Sequence, residues 1–243
     1  MKVNLFIPCI IDQFFPEVGI ATVKILRKVG CEVDYPAEQT CCGQPAFNTG
    51  YRDDARFLAE RFIKVFSKSD YVVAPSGSCV SMVKVFYDEL ALPENLKSEL
   101  QGLKKRIFEL SEFLVDVMHV TDVGANFNGK VTYHESCHLL RELHVSEQPR
   151  RLIGNVKGLE FIEMNESKRC CGFGGTFSVK FPELSCVLTE DKVKNIESCG
   201  ADFVVGCDSS CLMNIDGLLK KKGSNIRTMH LSELLISGWG KAD

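Results

Sequence analysis

The chain has 243 residues, 45% hydrophobic and 25% charged, with a formal net charge of −3. That balance excludes a disordered chain, and the near-neutral charge excludes a general attraction to nucleic acid or anionic lipid. The apolar stretch LFIPCII is too short for a spanning helix and lacks the basic leader and cleavage site of a signal peptide, so no membrane insertion and a cytoplasmic location are expected.

In chain order, KVNLFI (2–7) reads as a short apolar strand. PEVGIATVKILRKVG (16–30) follows with helical spacing of Val18, Thr22, Ile25, Leu26 and Val29, and Gly30 supplies its stop. CEVDYP (31–36) is a second strand. DDARFLAERFIKVFSK (53–68) is an amphipathic helix with acids at its start and a lysine at its end, its Phe57, Phe62 and Phe66 expected in the core. YVVAP (71–75) is a third strand, and a helix runs through Val80 to Leu90. Turn chemistry in VGANFNGK (123–130) divides the chain into units 1–124 and 125–243. The second unit repeats the order with the strand KVTYHE (130–135), the strand GLEFIE (158–163) and a helix from Pro182 to Ser198. The strand DFVVG (202–206), a helix from Ser210 to Lys221, the strand IRTMH (226–230) and the helix LSELLIS (231–237) complete it.

Strands alternating with helices imply parallel sheets joined by right-handed crossovers. The expected fold is therefore α/β, two tandem Rossmann-like repeats, each a small parallel sheet with flanking helices. Binding sites in such sheets gather beyond the carboxyl ends of the strands, and that is where the cysteines fall.

Nine of the twelve cysteines are arranged in two sets. Cys9, Cys41-Cys42-Gly43 and Cys79 form the first; Cys137, Cys170-Cys171-Gly172, Cys207 and Cys211 form the second. Other segments repeat with them: VVAPSGSC (72–79) aligns with VVGCDSSC (204–211), and RIFELSEFL (106–114) with RTMHLSELL (227–235). In a reducing compartment such thiols are ligands or redox groups rather than structural disulfides, whereas Cys31, Cys186 and Cys199 stand alone and read as packing residues. Thiolates favour iron–sulfur centres, zinc and copper(I). Adjacent cysteines suit a centre with several metal atoms better than a single ion, with Gly43 and Gly172 expected to let the backbone approach it. Zinc and a metal-free thiol pair remain the other readings.

TCCGQPAFNTGY (40–51), TYHESCH (132–138) and RCCGFGGTFSVK (169–180) resemble the cysteine-rich CCG domain family, found in the B subunit of heterodisulfide reductase and the iron–sulfur subunit of glycolate oxidase. They look most like its lactate-utilisation A group. The resemblance covers essentially the whole chain. It implies an iron–sulfur electron-transfer subunit of an L-lactate-oxidising system, an oxidoreductase component with partners of the lactate-utilisation B and C type. It also implies a [4Fe-4S] cluster in the second repeat on Cys137, Cys170, Cys171 and Cys211, with Cys207 as a fifth ligand if the cluster is non-cubane. The first repeat departs from the pattern, with Pro75 in the place of Cys207, and its Cys9, Cys41, Cys42 and Cys79 fit a cluster, zinc or no metal. A thiol–disulfide oxidoreductase of the heterodisulfide type and a zinc-stabilised assembly subunit are the alternatives.

His134 and His138 flank Cys137 and read either as ligands or donors to the centre or as ordinary strand-end histidines. Glu135 reads as a solvated charge, and Arg169 as a counter-charge to thiolate or a loop arginine. Gly172-Phe173-Gly174-Gly175 lacks the strand–helix context of a dinucleotide loop. Lys220 to Lys222 are far short of a nucleic-acid footprint.

Overall fold

The computed structural model describes residues 1–240. The first half runs β1 (Lys2–Leu5), α1 (Cys9–Phe14), α2 (Pro16–Lys28), β2 (Glu32–Asp34), α3 (Gln44–Asn48), α4 (Arg52–Phe66), β3 (Val72–Ala74), α5 (Gly77–Lys84), α6 (Glu94–Lys104), β4 (Ile107–Glu109) and α7 (Leu110–Glu112). The second runs β5 (Asn126–His134), α8 (Cys137–Arg141), α9 (Glu147–Gly154), β6 (Lys157–Phe161), α10 (Phe177–Lys180), α11 (Pro182–Ser198), β7 (Phe203–Gly206), α12 (Ser209–Lys221), β8 (Arg227–His230) and α13 (Leu231–Leu235).

Each half forms one four-stranded parallel sheet, in the orders β2-β1-β3-β4 and β6-β5-β7-β8. Of the central strands, β3 and β7 are apolar throughout, with Val72, Val73, Ala74, Val204 and Val205 fully buried, as both-face burial demands. Local signals set the helices. Pro16 and Pro182 occupy first-turn positions where no amide hydrogen is needed. Asp53 and Asp54 open α4 and Lys64 closes it, matching the dipole.

The shared Leu-Ser-Glu of the two closing segments proves to be a pair of capping boxes. Glu109 accepts from the Ser111 amide (2.7 Å) and His230 from the Ser232 amide (3.1 Å). Glu112 and Glu233 bond back to the residue at the cap.

Some expectations change. Phe57 is 67% exposed while Phe62 and Phe66 are buried, because five residues of helix turn Phe57 well away from Phe62. Cys186 is exposed rather than packed. The strand β5 begins at Asn126, inside the anticipated turn, where pairing with β6 and the bond from the Asn126 amide to the Ser237 carbonyl (2.8 Å) satisfy the backbone. Strand β4 and helices α6 and α9 add elements that the pattern alone does not announce.

The halves share a core. Val3, Leu5, Ile11 and Ile25 of the first pack in one cluster with Val131, Tyr133, Leu139 and Leu234 of the second. Gly77 lets α5 lie against α8, since a Cβ there would stand 2.7 Å from that of Leu139. Asp208 then ties three helix starts together. Its carboxylate accepts from the hydroxyls of Ser76 and Ser78 (2.8 Å each), the Ser78 amide (3.1 Å) and the hydroxyl of Ser136. None of the helices is long and apolar enough to cross a membrane among the described residues.

Candidate metal centres

Each half brings its cysteines to the carboxyl edge of its sheet. In the first, Cys9 opens α1 beyond β1, Cys41 and Cys42 lie in the loop after β2, and Cys79 is in the first turn of α5 after β3. The Cys9 and Cys41 sulfurs are 3.7 Å apart, and the Cys42 thiol touches those of Cys41 and Cys79. In the second, Cys137 opens α8, Cys170 and Cys171 follow β6, and Cys211 starts α12. Cys170 meets Cys137 and Cys171, and Cys171 meets Cys211. Residues separated by more than thirty positions therefore form one four-thiol cluster per half.

One of the two inner thiols of each row is pushed toward the thiolate form. Donation from Cys42 and Cys9, with the Gly43 amide at 3.4 Å, pulls Cys41 down to about 3. Donation from Cys137 and Cys171, with the Gly172 amide at 3.3 Å, pulls Cys170 down to about 2. The contact with Cys41 and burial push Cys9 up, and contacts with the neighbouring thiols do the same for Cys42 and Cys171.

The glycines act differently from expectation. Gly43 and Gly172 have φ of +87° and +84°. A Cβ would meet the Ala55 carbonyl at 3.3 Å in the first half, and Thr189 Oγ1 at 2.5 Å with the Ser185 carbonyl at 2.6 Å in the second. The missing Cβ makes room for the helix behind the turn, while the glycine amides themselves reach the Cys41 and Cys170 sulfurs. Tyr87 holds the first turn through its hydroxyl to the Cys42 carbonyl (2.9 Å); Thr189 and Asn214 hold the second through the Cys171 carbonyl (3.0 and 2.9 Å).

Cys207 is not brought to the four thiols of its half. It is fully buried between the sheets, where it contacts the Tyr133 hydroxyl (3.5 Å) and Ser111 and faces Glu109. Burial pushes its thiol up. The lesser candidates divide. Glu135 is buried and paired with Arg150 (2.9 Å), not solvated, and Arg169 pairs with Asp191 (2.8 Å). His138 Nδ1 lies 3.7 Å from the Cys137 sulfur. His134 is buried beside Cys171 and Cys211, its nitrogen and their sulfurs all within 4.8 Å of one another.

One residue escaped the sequence pattern. Lys192 is fully buried on α11, its Nζ donating to the carbonyls of Glu166 (3.0 Å) and Ser167 (2.9 Å). Burial lowers it to about 8, while the charge of Cys171, Cys170 and Cys211 acts to retain the proton. Its signal was available: at an offset of 130, set by Ala55 and Ser185 behind the two Cys-Cys-Gly turns, Lys192 occupies the place of Phe62.

Access differs between the centres. A cleft of about 260 Å³ lies against Cys9, Cys41, Cys42 and Cys79, and Phe173, Thr176 and Val179 of the second half form part of its wall. Among the described residues, no cationic side chain, carboxylate or histidine lines it. Cys9 is exposed, whereas Cys171 and Cys211 are buried and Cys137 and Cys170 are half-buried.

Residues 3–84 and 131–216 match the cysteine-rich domain family CCG. The chain is 46% identical over 237 residues to a protein named lactate utilization protein A from Geobacillus sp. (strain WCH70), covering 98% of this chain and 100% of that one. It is 47% identical over 236 residues to a protein of the same name from Halalkalibacterium halodurans, covering 97% and 96%. Among solved structures, a hypothetical protein from Helicobacter pylori superposes with a TM-score of 0.69 at 10% identity. That match covers all of this chain and 49% of the other, and it speaks for the fold alone.

Proposed function

This chain belongs to the cysteine-rich CCG domain family, alongside relatives named lactate utilization protein A, and from that premise we propose that it is an iron–sulfur electron-transfer subunit of an L-lactate-oxidising system. The observation that carries the reading is the convergence of four thiols in each half at one sheet edge, in contact as the rows Cys9–Cys41–Cys42–Cys79 and Cys137–Cys170–Cys171–Cys211. The residues fit such a centre: the donor set is thiolate, and the Cys171 and Cys211 sulfurs are buried from water. Cys9, Cys41, Cys42 and Cys79 would hold one centre, and Cys137, Cys170, Cys171 and Cys211 the other. An iron–sulfur cluster, when bound, supplies one-electron storage.

The protein's own residues would do the rest. The Gly43 and Gly172 amides donate to a ligand sulfur, which stabilises its charge. Lys192 offsets negative charge at the second centre. The cleft offers no cation to a carboxylate, which supports a lactate site on a partner of the lactate-utilisation B or C type. The decisive experiment is anaerobic purification followed by iron, acid-labile sulfide and EPR measurements. Iron and sulfide in near-equal amounts are expected; protein with neither would end this reading.

A second reading rests on Cys9 and Cys41. An exposed thiol 3.7 Å from a thiolate is the arrangement of a thiol–disulfide exchanger. Cys41 would attack a partner's disulfide and release one thiolate; Cys9, giving up its proton to that thiolate, would then attack the Cys41 sulfur of the mixed disulfide, forming a Cys9–Cys41 disulfide and releasing the partner's second thiolate. It requires activity that survives metal removal.

A further inference from the structure

His134 ends β5 at 1% exposure, and neither of its ring nitrogens has a hydrogen-bond partner. A buried imidazole with two unpartnered nitrogens is anomalous, since buried polar groups are almost always satisfied. Its neighbours do not resolve the anomaly. Lys192 spends its ammonium on the carbonyls of Glu166 and Ser167. The sulfurs of Cys171 and Cys211 lie within 4.8 Å of the imidazole without bonding to it. A metal–nitrogen bond of about 2.0–2.1 Å and a metal–sulfur bond of about 2.3 Å place such atoms about 3.5 Å apart in a tetrahedral site, inside that limit. All three residues are buried, so water does not compete for the position.

The first half supplies the internal control. Phe6 stands three residues before Cys9, as His134 stands three before Cys137. Its ring is fully buried against Phe62 (4.8 Å between centroids) and Phe66 (5.8 Å), and it has no atom able to ligate. A residue needed only to fill space at the end of this strand is therefore aromatic and apolar. In the second half the same place holds a nitrogen donor aimed at two sulfurs.

We propose that His134 is a nitrogen ligand of the second centre, which makes that centre a mixed thiolate–imidazole site beside a first centre held by thiolates alone. This rests on the reading that the second half binds a metal or cluster. Where the imidazole takes the place of one of the four thiolates, the site is less negative, and for an iron–sulfur cluster histidine ligation raises the potential.

The test uses the full chain, purified anaerobically, with the first centre removed by Cys42→Ser and the bound element identified by metal analysis. If it is iron, 57Fe Mössbauer spectroscopy should show one iron site distinct from the sulfur-ligated remainder. If it is zinc, X-ray absorption should show an imidazole among the ligands. That signature should vanish in Cys42→Ser/His134→Phe, with metal content at least halved. Cys42→Ser/His134→Cys should regain metal with sulfur-only ligation, which a purely structural histidine would not bring about. Sulfur-only ligation in Cys42→Ser would overturn the assignment while leaving the metal reading intact. Metal in the unaltered chain but none in Cys42→Ser would also overturn it, because the second half would then hold no centre. Absence of metal from both would remove the underlying reading, and this inference with it.

Discussion

Behind the thiols of the first half stands an aromatic wall, Phe6 packed edge-on against Phe62 with Tyr87 beyond. Behind those of the second stand His134 and Lys192, both buried. The backbone is nearly the same in the two places: the same strand order, the same left-handed glycine and the same helix packed on it. A duplicated scaffold has thus kept its thiol positions while its interior has changed from apolar to ionisable. Equal numbers of sulfurs do not make equal centres, because the charge and hydrogen bonding around them set affinity and potential.

The strongest way to break this comparison is to remove one centre at a time. Cys42→Ser and Cys171→Ser should each abolish binding in their own half, cutting total metal to about half. If the two single-centre proteins then show identical spectra and potentials, the differing walls have no chemical effect. Exchanging the walls comes next. Phe62→Lys places an ammonium among aromatic rings without carbonyl partners, and should cost roughly 3–5 kcal/mol in urea denaturation. Lys192→Met leaves two carbonyls without their donor and should cost about 1–3 kcal/mol.

The capping boxes sharpen the comparison through pH. Burial raises Glu109 to about 8, so its neutral form stabilises the fold fully below about 4.5 and this is lost as pH rises toward 8. Burial lowers His230, its counterpart, to about 4, so its contribution is full above about 6.5 and is lost as pH falls through 4. Glu109→Gln should therefore raise the melting temperature relative to the unaltered protein at pH 8 but not at pH 4.5. His230→Asn should help only in acid. Each effect is on the order of 3 kcal/mol. The smallest expected effect is that of Cys207→Ser, about 1 kcal/mol of stability with metal content unchanged. A loss of metal there would restore Cys207 as a ligand.

Much of the fold was legible because both of its signals are local and repeated. Apolar strand runs and helical spacing announce the parallel sheets, and the Cys-Cys-Gly turns announce the site. Helices α6 and α9 went unread although α6 carries buried Leu96, Leu100 and Leu103 at helical spacing, whereas the short α9 buries only Pro149, Leu152 and Ile153. The contact of Cys9 with Cys41 could be guessed from the strand–loop order, whereas the partners of Asp208 could not: they come from Ser76, Ser78 and Ser136, on helices of both halves. Glu135 misled for a similar reason, its partner Arg150 lying on a helix that the pattern did not show.

The order of elements, the duplication and the two thiol sets were determined along the chain itself, because parallel sheets place the residues that follow each strand at a common edge. The tertiary structure alone decided which of those residues face one another. Cys207 and Cys211 are four positions apart, yet the first is buried between the sheets against Tyr133 while the second starts α12 beside Cys171. Packing of α11 behind the glycine turn put Lys192 beneath the thiols, and packing of β5 left His134 without a partner. Side-chain direction and burial arise from how elements pack, and spacing along a chain does not contain them.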